Sequence, residues 1–116
     1  MHNLKELKIW NKAIDLTVEV YKATANFPSD ERFGLTSQSR RSAVSIPSNI
    51  AEGAGRNSNK EFSNFLGIAN GSSCELQTQL VIANRLSLLD GEILNSLLKE
   101  IDELQKNELC ISAGLE

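Results

Sequence analysis

The sequence predicts an all-α protein that folds as an antiparallel, up-down-up-down four-helix bundle. Apolar residues recur at three- and four-residue steps through four segments, which is the spacing of amphipathic helices. No segment shows the strict alternation of a half-buried strand. Only a few turn residues separate the segments, and short loops make consecutive helices antiparallel neighbours. The chain has 116 residues, the size of one ordinary domain.

The first helix is predicted over residues 5–25, and it carries two apolar rows instead of one. One row contains Leu7, Trp10, Ile14, Thr17, Val18 and Tyr21. The other contains Ile9, Ala13, Leu16 and Val20. A bundle needs to bury only one such stripe, and a surplus apolar face marks an interaction surface. We therefore expect Ile9, Leu16 and Val20 to form an interface between subunits of an oligomer.

The second helix is predicted over residues 31–53, and its unusual feature is Pro47 in the stretch SIPSNIAEG. A proline inside a helix removes a hydrogen bond and costs about 3 kcal/mol if nothing compensates. Ala43, Ile46 and Ile50 nevertheless keep helical spacing across it. We expect one continuous helix kinked at Pro47, with two separate helices as the alternative.

The third and fourth helices are predicted over residues 59–88 and 91–112. Ser58 and Glu61 form a capping box in front of the third apolar run, which is a signature of a helix start. Asp90 and Gly91 mark the turn into the fourth helix. The four helices form a single domain over residues 1–116.

Several polar side chains border the apolar faces of the second and third helices, where an unpaired charge would be costly. Arg40 and Arg41 are the obvious partners for Glu52 or Glu75. The predicted structural network consists of Arg40, Arg41, Ser45, Asn49, Glu52, Ser72 and Glu75. The enzymatic alternative makes Glu52 and Glu75 an acid/base pair, but no histidine, nucleophile motif or metal-ligand spacing accompanies them.

The charge of the chain is uneven, although its net value is only −3. Residues 90–116 contain seven acids against two lysines, whereas residues 29–60 contain most of the arginines. Nucleic-acid binding requires basic side chains grouped on one face. Arg56 and Lys60, beside the glycine-containing turn after the second helix, are the candidate nucleic-acid contacts, and several subunits together could concentrate their charge.

Cofactor and membrane binding find no support in the sequence. Cys74 and Cys110 have no metal-ligand spacing and are expected to be buried thiols, and the one histidine, His2, cannot form a metal site alone. No apolar run approaches the ~20 residues that a membrane-spanning helix needs. The first residues also lack the pattern of a signal peptide. We expect a cytoplasmic protein without a cofactor.

An ordered set of motifs resembles a known family. The motifs are L-x-x-W-x-x-A at residues 7–13, VYKATANFPSDERFGLTSQSRRSAVSIPSNIAEG from residue 20, EF at residues 61–62, and IANGSSCEL from residue 68. Over about residues 4–105 they resemble the bacterial four-helix bundle proteins encoded in intervening sequences of large-subunit ribosomal RNA genes. They are also similar to the accessory variability determinants of diversity-generating retroelements.

The resemblance implies a homopentameric barrel without enzymatic activity. In the retroelement branch, it implies a scaffold that binds a reverse transcriptase and nucleic acid through a basic surface. The hypothesis for this chain is therefore a non-catalytic, homo-oligomeric scaffold. The alternative is an accessory protein that binds RNA or DNA and partners a reverse transcriptase.

Overall fold

The computed structural model describes residues 2–4 and 7–115, and these residues fold into four α-helices. The helices are α1 (Lys8–Thr24), α2 (Leu35–Ala54), α3 (Asn59–Arg85) and α4 (Gly91–Gly114), with a short 3₁₀ helix (Ser29–Glu31) between α1 and α2. The described residues contain no strand. The all-α class is confirmed.

Contacts near the helix ends give the antiparallel order. Arg40 near the start of α2 bonds to Thr24 at the end of α1. Ser63 near the start of α3 bonds to Ser112 near the end of α4. Each helix packs against the next, and α1 also packs against α4, which closes the bundle. The principal extents of 43 × 23 × 20 Å fit four helices that lie side by side, consistent with the predicted four-helix bundle.

Three observed helix ends differ most from the predicted ones, each for its own reason. The α1 helix begins at Lys8, whereas its predicted start, residue 5, lies outside the described residues. The α2 helix begins four residues late because the chain first forms the 3₁₀ helix, after which Glu31 Oε1 accepts the backbone N–H of Leu35 at 3.1 Å. The α3 helix ends three residues early, just before Ser87 adopts a left-handed φ of 63°.

Side chains cap the third helix, as predicted, and also the fourth, where only a turn was predicted. The Ser58 hydroxyl accepts the backbone N–H of Glu61 at 3.1 Å. The Asp90 carboxylate accepts the N–H of Glu92 at 2.7 Å. Each bond satisfies a donor that the first helical turn would otherwise leave without a partner.

The core uses the row of α1 that was assigned to an oligomer interface. Ile9, Leu16 and Val20 are only 2%, 2% and 0% exposed, so the prediction that they contact another subunit is wrong. The outward row is the other one, in which Val18 is 45% and Tyr21 is 43% exposed. Both rows are apolar, and the packing of α2 and α4 decides which one is buried.

The α2 helix runs without interruption through Pro47, which is buried. Because proline has no N–H, the carbonyl of Ala43 loses its helical donor. The structure supplies a substitute from α1: Thr17 Oγ1 lies 3.1 Å from Ala43 O and 2.8 Å from Ala13 O, so its hydrogen is shared between two carbonyls. A kink at Pro47 stays a prediction, but two separate helices are not observed.

Candidate interaction surfaces

Only part of the predicted polar network forms, and that part is neutral. Ser45 Oγ and Ser72 Oγ lie 2.8 Å apart between α2 and α3. Asn49 Nδ2 donates to Ser45 O at 2.8 Å and to Ser45 Oγ at 2.9 Å. These three side chains satisfy one another without a buried charge, which is the requirement for polar groups at a helix interface.

The charged half of the network was predicted wrongly. Glu75 is exposed and has no ion pair within the described part of the chain, and the same holds for Arg41. Glu52 follows Arg40 by twelve residues, which places it about 120° round the helix from that arginine. Arg40 therefore faces α1, whereas Glu52 bonds to Arg56.

Arg40 is held against the end of α1 by neutral groups. Its Nε donates to Thr24 Oγ1 at 3.0 Å, and its Nη2 donates to the carbonyl of Tyr21 at 3.3 Å. The guanidinium also lies 4.5 Å from the centroid of the Tyr21 ring, a cation–π arrangement. These contacts fix the side chain but leave its positive charge without a carboxylate partner.

Arg40 forms one wall of an open groove of about 650 Å³ on α2 and the end of α1, which we call the arginine groove. Arg32 and Arg41 also line it, and no carboxylate lies within ion-pair distance of any of the three among the described residues. Phe33 is 85% exposed there, with the Arg32 guanidinium 5.4 Å from its ring centroid. The remaining lining residues are Tyr21, Thr36, Ser37, Val44 and Ser45.

The predicted nucleic-acid contacts, Arg56 and Lys60, lie at the opposite end of α2. Arg56 Nη2 is 2.8 Å from Glu52 Oε1, and its Nε is 3.8 Å from Glu61 Oε2. Its guanidinium also lies 5.1 Å from the centroid of the Phe65 ring. Lys60 is exposed in the first turn of α3. Two carboxylates thus offset the charge of Arg56, which makes this pair a weaker basic site than the arginine groove.

A second surface, between α1 and α4, carries the opposite charge, and we call it the acidic surface. Two adjoining cavities of about 350 and 200 Å³ lie along it. Lys22 Nζ approaches Glu19 Oε1 at 3.6 Å. Burial raises the pKa of Glu100, and repulsion from Glu19, Asp15 and Glu103 raises it further. The charged lining residues are Lys12, Asp15, Glu19, Lys22, Glu92, Glu100 and Glu103.

A buried carboxyl group that is absent from the predicted sites lies near the end of α4. Glu108 is only 2% exposed, and neither of its carboxyl oxygens has a hydrogen-bond partner. Burial raises its pKa to about 7, because a low-dielectric environment disfavours the charged form. The sequence does indicate this burial, because Glu108 continues at helical spacing the buried row formed by Leu97, Ile101 and Leu104.

Neither a metal-binding group nor a membrane-spanning helix is found among the described residues. Within residues 2–4 and 7–115, no group of histidine, cysteine and acidic side chains is arranged to hold a metal ion. Cys74 and Cys110 are exposed free thiols, so the expectation that both are buried is wrong. None of the helices combines the length and the apolar character needed to cross a bilayer, as far as the described residues extend.

Comparisons with known proteins support the resemblance found in the motifs. A family model described as 23S rRNA-intervening sequence protein matches residues 5–108. The chain is also similar to a crystal structure from Bacteroides thetaiotaomicron, described as a protein with unknown function from the S23 ribosomal protein family. The identity is 26% and the TM-score 0.80, covering 90% of this chain and 97% of that one. No curated protein gives a significant match.

Proposed function

Because the chain belongs to the 23S rRNA-intervening sequence protein family, we propose that it is a non-catalytic scaffold subunit that assembles into a homo-oligomeric ring. The number of copies, five, follows from the family resemblance. The observation that carries the proposal is the exposure of Tyr21, Phe33 and Val44 in the arginine groove, which are 43%, 85% and 41% exposed.

The apolar lining of the groove gives a physical reason for assembly. Clustered apolar and aromatic side chains on a surface are typical of interaction sites. Aromatic residues and arginine are also the residue types most enriched in protein–protein interfaces. Burial of apolar surface contributes about 25 cal/mol per Å² removed from water. Phe33 makes little contact with its own chain, so its apolar ring gains this free energy only when a partner covers it.

Light scattering coupled to size-exclusion chromatography tests the assembly. We expect a mass close to five times the 12.8 kDa of one subunit at micromolar concentration. Phe33→Asp should lower that mass without unfolding the subunit, because Phe33 is already exposed. Leu109→Asp, at a 63% exposed apolar position on α4, is the matched control and should leave the mass unchanged. A wild-type protein that stays at 12.8 kDa would contradict the proposal.

A second candidate function is binding of RNA or DNA as an accessory to a reverse transcriptase, the partner that the retroelement resemblance implies. The observation that favours it is the set of three arginines without carboxylate partners beside Phe33. Arginine neutralises phosphates, and an exposed aromatic ring can stack on an unpaired base. The net charge of −3 weighs against a large binding surface and predicts weak, strongly salt-dependent binding.

Fluorescence anisotropy with a labelled structured RNA, at 50 and 200 mM salt, tests this second candidate. We expect Arg32→Ala with Arg41→Ala to weaken binding more than Arg56→Ala with Lys60→Ala. The reason is that Glu52 and Glu61 already offset the charge of Arg56. The opposite order would assign binding to the turn between α2 and α3. Affinity that persists at 200 mM salt would contradict a purely electrostatic contact.

A further inference from the structure

We propose that the arginine groove receives the acidic surface of a second copy of this chain, so that each copy contacts the next through two different faces. The inference rests on the homo-oligomer proposed above and names the two surfaces that would meet. An interface between two different patches is heterologous, and repetition of such an interface produces a ring if the rotation closes.

Charge complementarity identifies the occupant of the groove. The groove carries three guanidinium groups without a carboxylate partner among the described residues. The acidic surface carries five carboxylates against two lysines. Burial, and after it repulsion from the neighbouring carboxylates, raises the pKa of Glu100. A guanidinium from another copy would relieve the repulsion. Opposite potentials on two surfaces favour their association and exclude partners of the wrong charge.

Both surfaces also include exposed apolar side chains, which could form contacts in addition to the pairing of opposite charges. Phe33 and Val44 lie in the arginine groove, and Ile93, which is 43% exposed, lines the acidic surface. An interface core typically combines apolar contacts with a charged rim. The two surfaces therefore match in composition as well as in sign of charge.

The positions of the two surfaces on the bundle suit a closed ring. The acidic surface lies on the α1–α4 side, and the groove lies on the α1–α2 side. Neighbouring sides of a four-helix bundle face directions about 90° apart, and the cross-section of 23 × 20 Å is nearly square. A closed ring requires an angle of about 90° between the two faces for four subunits and about 108° for five.

The two surfaces also lie at the same height along the bundle. Tyr21 lines the groove, and Glu19 and Lys22, which are within one turn of it on α1, line the acidic surface. Rotation about a ring axis parallel to the helices changes direction but not height. Copies related by that rotation therefore bring the arginines of one subunit level with the carboxylates of the next.

Charge reversal tests the pairing. Arg41 is exposed, and its guanidinium has no ion pair among the described residues, so Arg41→Glu should leave the subunit folded. We expect this variant to weaken assembly at least about a hundredfold in dissociation constant, because like charges placed against each other are strongly unfavourable. Glu100→Lys should have the same effect from the other side. The combined variant, Arg41→Glu with Glu100→Lys, should restore the oligomer.

The controls separate this inference from the oligomer itself. Lys60→Glu makes the same change in charge in the first turn of α3, away from both surfaces, and should leave assembly intact. Circular dichroism verifies the fold of every variant. A monomeric wild-type protein overturns the proposed function. A wild-type oligomer that Arg41→Glu leaves unchanged overturns only the pairing, even if that variant loses RNA binding. Failure of the combined variant to reassemble also overturns the pairing.

Discussion

Glu108 should make the stability of this protein fall as the pH rises towards neutrality. Its pKa is raised from 4.5 to about 7 in the folded chain. Below pH 4.5 the carboxyl group is protonated in both the folded and the unfolded states. Between pH 4.5 and 7 the unfolded chain releases a proton that the folded chain retains. The stabilisation present at low pH is therefore lost progressively up to about pH 7.

The size of the effect follows from the same two values. A difference of one pH unit in pKa corresponds to about 1.4 kcal/mol, so the full loss is about 3 kcal/mol. For a chain of this length that corresponds to about 10 °C in melting temperature. Glu108→Gln keeps the shape of the side chain but cannot ionise. We expect this variant to match the wild type at pH 4.5 and to exceed its stability by about 3 kcal/mol at pH 8.

Urea denaturation followed by circular dichroism at pH 4.5, 6, 7 and 8 measures the difference between the two proteins. Equal protein concentrations are needed because assembly also contributes to stability. Glu75→Gln is the matched control: it removes an exposed carboxylate without an ion pair in the described residues and should keep the wild-type pH profile. If wild type and Glu108→Gln lose stability in parallel, the reasoning about Glu108 is wrong.

Two further predictions concern the packing of α2. A methyl group on Gly53 would come within 2.7 Å of Phe65 Cβ, so Gly53→Ala should destabilise the fold by about 1–3 kcal/mol in thermal melts. The control is Gly71→Ala, because a methyl group there would have no atom within 4 Å. This variant should be neutral or stabilise the fold by up to about 1 kcal/mol. Thr17→Val removes the donor to the carbonyl that Pro47 leaves without a helical partner, and should cost about 1 kcal/mol. The cost of Thr17→Val should be smaller in a Pro47→Ala background. If a double-mutant cycle shows no coupling between the two changes, Thr17 does not compensate for the hydrogen bond that Pro47 removes.

The sequence predicted the helices well because their signals are local. Ser58 caps α3 where the pattern placed it, and α4 begins at the predicted turn, where Asp90 caps it. Such signals depend on residues within one turn. The late start of α2 was missed because Glu31 caps it from a 3₁₀ turn. The pattern also could not predict which apolar row of α1 is buried, because that depends on how α2 and α4 pack.

The polar groups were harder to place because their partners are distant in sequence. Arg40 bonds to Thr24 and to the backbone of Tyr21. Because these partners are neutral, no pattern of opposite charges in the sequence predicts them. The arginine groove combines the end of α1 with the outer face of α2, so its volume exists only after the helices pack. Glu108 is the exception, since its place in an apolar row of α4 was visible and could have been used.

The tight pairing of α2 with α3 bears on the order in which the fold forms. A turn of four residues, 55–58, joins these helices, and they make the most extensive contact of any helix pair. Closing such a short turn loses little chain entropy, whereas bringing α1 against α4 requires most of the chain to be closed into a loop. We expect the α2–α3 hairpin to be the folding nucleus. Stopped-flow refolding of Phe62→Leu should then be slowed, while Leu97→Ala should mainly accelerate unfolding.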